Sequence, residues 1–84
     1  MSEQERFHIQ DTIQSTIGYA LVDTALLDPS IVARSLRDTP VYETMLFRVT
    51  ISGVDYTDEI DGKVTFNEDD ARAAHQAIIE KWRI

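Results

Sequence analysis

The stretch Tyr42-Glu43-Thr44-Met45-Leu46-Phe47-Arg48-Val49-Thr50-Ile51-Ser52-Gly53-Val54-Asp55-Tyr56-Thr57 decides how the chain is read. Met45, Phe47, Val49 and Ile51 recur at every second residue, Thr44, Arg48 and Thr50 point the other way, and Leu46 breaks the alternation. A period of two belongs to a strand with one face toward a core. Ser52–Gly53 fits a two-residue hairpin turn. That register pairs Ile51 with Val54 and Val49 with Tyr56 on the apolar face, and Thr50 with Asp55 and Arg48 with Thr57 on the polar one.

Downstream, Asp58–Glu59–Ile60–Asp61–Gly62 reads as a five-residue loop. Tyr56 then faces Val64 and Val54 faces Phe66, with Thr57–Lys63 and Asp55–Thr65 on the polar side. A four-residue loop would turn Lys63 inward, so the apolar pattern selects the longer one. Asn67 is the expected N-cap of a closing helix. Glu68, Asp69 and Asp70 occupy its first turn and Lys81 and Arg83 its last, each the sign that suits the helix dipole. Ala71, Ala74, His75, Ile78 and Trp82 form the inward stripe, with Ile79 beside it.

Upstream, Ile9, Ile13, Ile17, Ala20 and Leu21 share one helical stripe, which predicts a helix over 3–23. Asp28–Pro29 is a helix-start signal, followed by a short helix through Arg37 with Ile31, Val32 and Leu36 inward. Asp38–Thr39–Pro40 stops it. The expected class is therefore α+β: two N-terminal helices, a three-stranded antiparallel meander and a C-terminal helix (ααβββα), with the helices on one face of the sheet. The Thr-rich face with Arg48 and Lys63 is left to solvent or to a partner.

At 84 residues the chain reads as one small α+β domain, 1–84. With 43% hydrophobic and 27% charged residues it falls in the globular range. There is no cysteine, which excludes disulfides and thiolate chemistry. No apolar run approaches the roughly 20 residues that span a bilayer. Ser2–Glu3–Gln4–Glu5 has none of the features of a signal peptide, so a cytoplasmic protein with no membrane partner is expected.

Charge is unevenly placed. Asp55, Asp58, Glu59, Asp61, Glu68, Asp69 and Asp70 share one window with Lys63 as the only base, and so carry −6 of the net −7. These seven are the candidate partner-binding residues. Such a field steers basic partners and repels nucleic acid, whose phosphates require clustered Lys and Arg.

Catalytic patterns are lacking: no Gly-rich phosphate loop, no G-x-S-x-G and no H-E-x-x-H. His8 and His75 fall on opposite terminal helices, and His8 and Asp11, three apart, could touch. His75 lies on an apolar stripe, where a hydrogen-bonded packing role is expected. Paired carboxylates catalyse only where a dry pocket separates their pKa values, which a loop tip and a helix start do not offer. No catalytic residue, metal or cofactor is assigned. Asp61–Gly62–Lys63–Val64–Thr65–Phe66–Asn67–Glu68 resembles the back of an EF-hand calcium loop, with Gly62 at the turn and Glu68 as last ligand, although Thr57 stands where an aspartate leads. That resemblance implies a degenerate calcium loop at 57–68. The expected function is non-enzymatic: an acidic surface presented to a basic protein, as in inhibitors, antitoxins, immunity proteins or phage-type nucleic-acid mimics. The alternative is a structural or accessory subunit, homodimeric or not, with a mainly apolar interface.

Overall fold

The computed structural model describes residues 7–32 and 38–84. Four strands, β1 (His8–Ser15), β2 (Gly18–Leu26), β3 (Tyr42–Thr50) and β4 (Gly53–Thr65), precede one α-helix, α1 (Glu68–Trp82). The strands form an antiparallel meander in the order β1-β2-β3-β4.

The expected N-terminal helix is a hairpin instead. Ile9, Ile13 and Ile17 are four apart, and four is both one helical step and two strand steps, so their spacing alone does not choose. Composition chooses: Ile9, Thr12, Ile13, Thr16 and Ile17 are β-branched, and Gly18 would sit inside the helix. Ser15–Thr16–Ile17–Gly18 makes the turn. Ser15 Oγ accepts from Ile17 N at 3.1 Å and donates to the Gly18 carbonyl at 2.6 Å. The β3–β4 turn repeats this: Thr50 Oγ1 accepts from Ser52 N at 3.2 Å and donates to the Gly53 carbonyl at 3.1 Å. Gly18 and Gly53 have φ of +103° and +116°.

The β3–β4 turn therefore sits on Ile51–Ser52, not Ser52–Gly53. The register moves with it, to Thr50↔Gly53, Val49↔Val54 and Arg48↔Asp55. The second hairpin expected at 58–62 does not form. β4 runs unbroken to Thr65 and takes up the surplus residues as bulges, its partner stepping from Asp55 opposite Arg48 to Glu59 opposite Phe47 and Asp61 opposite Leu46.

The second helix is reduced to one 3₁₀ turn, Pro29–Ile31, capped by Asp28 Oδ1 accepting from Ser30 N at 2.9 Å. The remainder expected at 33–37, with Leu36 and Arg37, lies outside the described residues, as does the 3–6 start of the first helix. The closing helix forms where expected, with Asn67 Oδ1 accepting from Asp70 N at 2.8 Å. The ααβββα order thus gives way to ββββα.

The covered face is also reversed. α1 packs Ile78 and Ile79 against Ile13, Ala20, Val22 and Leu46, with Ile60 and Trp82 at the margin. Leu46, the residue out of phase in the strand, is the centre of this core. Thr24 and Thr44 beside it are fully buried, which is tolerated because their hydroxyls lie 2.8 Å apart. Met45, Phe47 and Val49 face away from the helix. No helix among the described residues is long and apolar enough to cross a membrane.

Candidate functional site

The seven carboxylates do not form one surface. Asp61 Oδ2 accepts from Trp82 Nε1 at 2.9 Å and from Lys81 Nζ at 3.1 Å, at the last turn of α1. Glu68, Asp69 and Asp70 occupy the first turn of the same 15-residue helix. At 1.5 Å per residue the two groups are roughly 20 Å apart.

Several of these acids are engaged internally. Arg48 Nε donates to Asp58 Oδ2 at 2.8 Å, and its Nη1 donates to the Ile17 carbonyl at 3.2 Å, so one guanidinium ties the first turn to the bulged strand. Arg72 donates to Glu68 Oε2 at 3.0 Å, and Asn67 Nδ2 donates to Asp70 Oδ2 at 2.9 Å. Asp55 Oδ1 accepts from both the hydroxyl and the N–H of Thr57, which holds its carboxyl below the usual aspartate range. Asp61 is lowered mainly by the Trp82 N–H, against an opposing desolvation, with help from Lys81 and Gly62 N. Glu59 lies over Gly62, where an added Cβ would come within 2.6 Å of its Oε2. Asp69 is exposed in the first turn.

A second polar group lies under α1. His75, 4% exposed, places Nε2 2.7 Å from Asp11 Oδ2 and Nδ1 2.7 Å from Thr24 Oγ1. The order carboxylate, imidazole, hydroxyl is that of a nucleophile triad. Here both threonine hydroxyls are sealed between helix and sheet, so no substrate can reach them. The chain satisfies buried polar atoms, the packing role expected for His75. His8 pairs with Asp23, at 2.6 Å, and not with Asp11.

The feature that sequence reasoning assigned to the core is the open sheet face. Leu21 and Phe47 are cross-strand partners there, and Tyr56 meets the Phe47 ring edge-on at 5.1 Å. Tyr19, Tyr56 and Val64 are 60, 62 and 48% exposed. Strand alternation places Met45 and Val49 on this face, along with the carboxylates of Asp23, Glu43 and Glu59.

Residues 57–65 are extended strand and not a loop, which removes the geometry of the calcium reading. Among the described residues no cluster of three metal-ligating side chains occurs. No protein family, no curated protein and no solved structure matches the chain.

Proposed function

We propose that the protein is a non-enzymatic interaction subunit whose open sheet face receives a protein partner with an apolar centre and a basic rim. The observation that carries this reading is the exposure of Tyr19, Tyr56 and Val64 around the Leu21–Phe47 pair, on the face that α1 leaves uncovered. Exposed aromatics on a flat strand surface are the groups that anchor interfaces. Glu43 and Glu59 border that patch, with Asp23 bonded to His8 at its margin, in a chain of net charge −7, which favours Lys and Arg opposite and opposes a second copy of the same face. The basic partner and the apolar interface become two parts of one contact.

The test uses tagged wild-type, Tyr19→Arg and Tyr56→Arg proteins in the native host, with co-purifying proteins quantified by mass spectrometry. Tyr19→Arg should keep the wild-type melting curve, whereas Tyr56→Arg loses the edge-on contact with Phe47, about 1 kcal/mol, and should melt a few degrees lower while staying folded. The expected result is a partner whose recovery falls at least tenfold in both variants and declines as salt rises. Identical recovery of every co-purifying protein by all three chains overturns the reading.

A further inference from the structure

A second surface lies where the edge of the sheet meets α1. Lys63 and Thr65 of β4 and Ala73, Ala74, Ala77 and Ile78 of the helix line an open groove of about 420 Å³, with Asp70 at its mouth. The alanines keep the helix wall low, so the groove is shallow and apolar on one side. Thr65 is nine-tenths buried, and its Oγ1 has no hydrogen-bond partner. A buried hydroxyl left unpaired is a cost that folded proteins rarely carry, and it marks a place where a partner group belongs.

The strand above the groove supplies the rest. β4 is an edge of the sheet, and among the described residues nothing pairs with its outer side. Its first half is bulged and carries Asp55, Asp58 and Glu59, features that hinder edge pairing. Asp61–Thr65 is different: it pairs regularly with Leu46–Tyr42, and its Gly62 N–H is held by Asp61 Oδ1 at 2.8 Å, which leaves Lys63–Thr65 as the open part of the edge. The usable template is therefore short and lies directly over the groove.

The geometry points to a binding site for an extended, basic-and-apolar segment of another protein. That segment adds to the edge at Lys63–Thr65 as a fifth strand, sets an apolar side chain between Ala73, Ala77 and Ile78, and bonds Thr65 Oγ1 once rotation about χ1 turns that covered hydroxyl into the groove. Basic character follows from the helix start beside the groove, where Glu68, Asp69 and Asp70 outnumber Arg72, in a chain of net charge −7. A second copy of the chain would bring two acid-bearing edges together, which the same charges oppose. The groove lies on the helix side of β4 and the Tyr56–Phe47 pair on the other side, so Ala77→Arg and Tyr56→Arg test the two proposals separately.

Random twelve-residue peptides displayed on phage, selected on the intact 84-residue chain, supply the probe. Binders should alternate apolar and basic residues and shift the amide resonances of Lys63–Thr65 and Ala73–Ile78. Ala77→Arg should weaken them at least tenfold, while Tyr56→Arg leaves them unchanged. Thr65→Val should raise the melting temperature of the free chain and weaken the peptides severalfold, a combination that a merely structural hydroxyl cannot give. Failure to select any binder, binders that map elsewhere or bind as helices, or a lower melting temperature for Thr65→Val each overturns the proposal. So does a dimer of the unliganded protein that Ala77→Arg dissociates, which would assign the groove to a second copy.

Discussion

Trp82 Nε1 donates to Asp61 Oδ2 at 2.9 Å, and this bond fastens the end of α1 to the bulged middle of the edge strand. Ile60 and Asp61 sit at the bulge where the partner steps from Phe47 to Leu46, which brings Ile60 toward the core and the carboxylate to the helix. Asp61→Ala should cost about 2 kcal/mol, the value of a hydrogen bond to a charged group. For a chain of this size that is a fall in melting temperature of about 10 °C. Lys81→Ala should cost well under 1 kcal/mol, since its ammonium is mostly in water. Equal melting temperatures for Asp61→Ala and wild type would show that the clasp does not hold the fold.

The same residue sets a pH dependence. Its folded-state carboxyl lies below the ordinary value of 3.8, chiefly because of the Trp82 N–H. A depressed carboxylate contributes stability that is present above the unfolded pKa and is lost as pH falls through the folded one. The advantage of wild type over Asp61→Asn in urea unfolding should therefore be full at pH 6 and shrink as pH is lowered past about 4. A difference that stays constant to pH 2 contradicts the assignment of cause.

What the sequence shows and what it hides can be followed residue by residue. The helix at Glu68–Trp82 is legible because cap, acidic first turn and apolar stripe agree. The first hairpin is misread because isoleucines four apart satisfy two periods at once. A readable signal for it exists: Ser15-Thr16-Ile17-Gly18 repeats the pattern of Thr50-Ile51-Ser52-Gly53, a hydroxyl residue three before a glycine. Choice of the covered face is harder to read. Both faces of β3 carry apolar residues, and Thr24, Thr44 and His75 satisfy one another only across the assembled layers. The acidic window misleads for a related reason, since the internal partners Arg48, Lys81 and Trp82 are distant in sequence from Asp58 and Asp61.

The repeated turn yields its own prediction. Gly18 and Gly53 both have strongly positive φ, and nothing lies within 4 Å of an added Cβ at either. Substitution by alanine is therefore opposed by the backbone alone, and Gly18→Ala and Gly53→Ala should each cost about 1–2 kcal/mol. Near-equal losses in chemical denaturation are expected. A loss at one position only would mean that the two hairpins are not built alike.

The buried Asp11–His75–Thr24–Thr44 chain separates satisfied from orphaned polarity. His75→Leu keeps the volume under α1 but strips Thr24 of a partner and should cost about 2–3 kcal/mol. Adding Thr24→Val and Thr44→Val removes the hydroxyl pair that His75→Leu leaves with only each other as partners, and most of that loss should return. Recovery in the triple variant, read by urea midpoints at constant slope, identifies hydrogen-bond satisfaction as the role of His75. No recovery would place its contribution in packing.

Arg48 decides which carboxylates can report on docking. Its guanidinium joins the Ile17 carbonyl to Asp58, so Asp58→Lys both breaks that pair and sets a second cation beside Arg48. Stability should fall by about 1–2 kcal/mol whether or not any partner docks there. Reversal of Glu59 or Asp69 is the cleaner probe. At Asp69 only the favourable interaction with the helix dipole is lost, about 0.5 kcal/mol. If acidic steering contributes to partner capture, Glu59→Lys and Asp69→Lys should slow association at low salt and match wild type at high salt, with melting curves little changed. Association rates that do not depend on either charge would leave the apolar face as the whole of the interface.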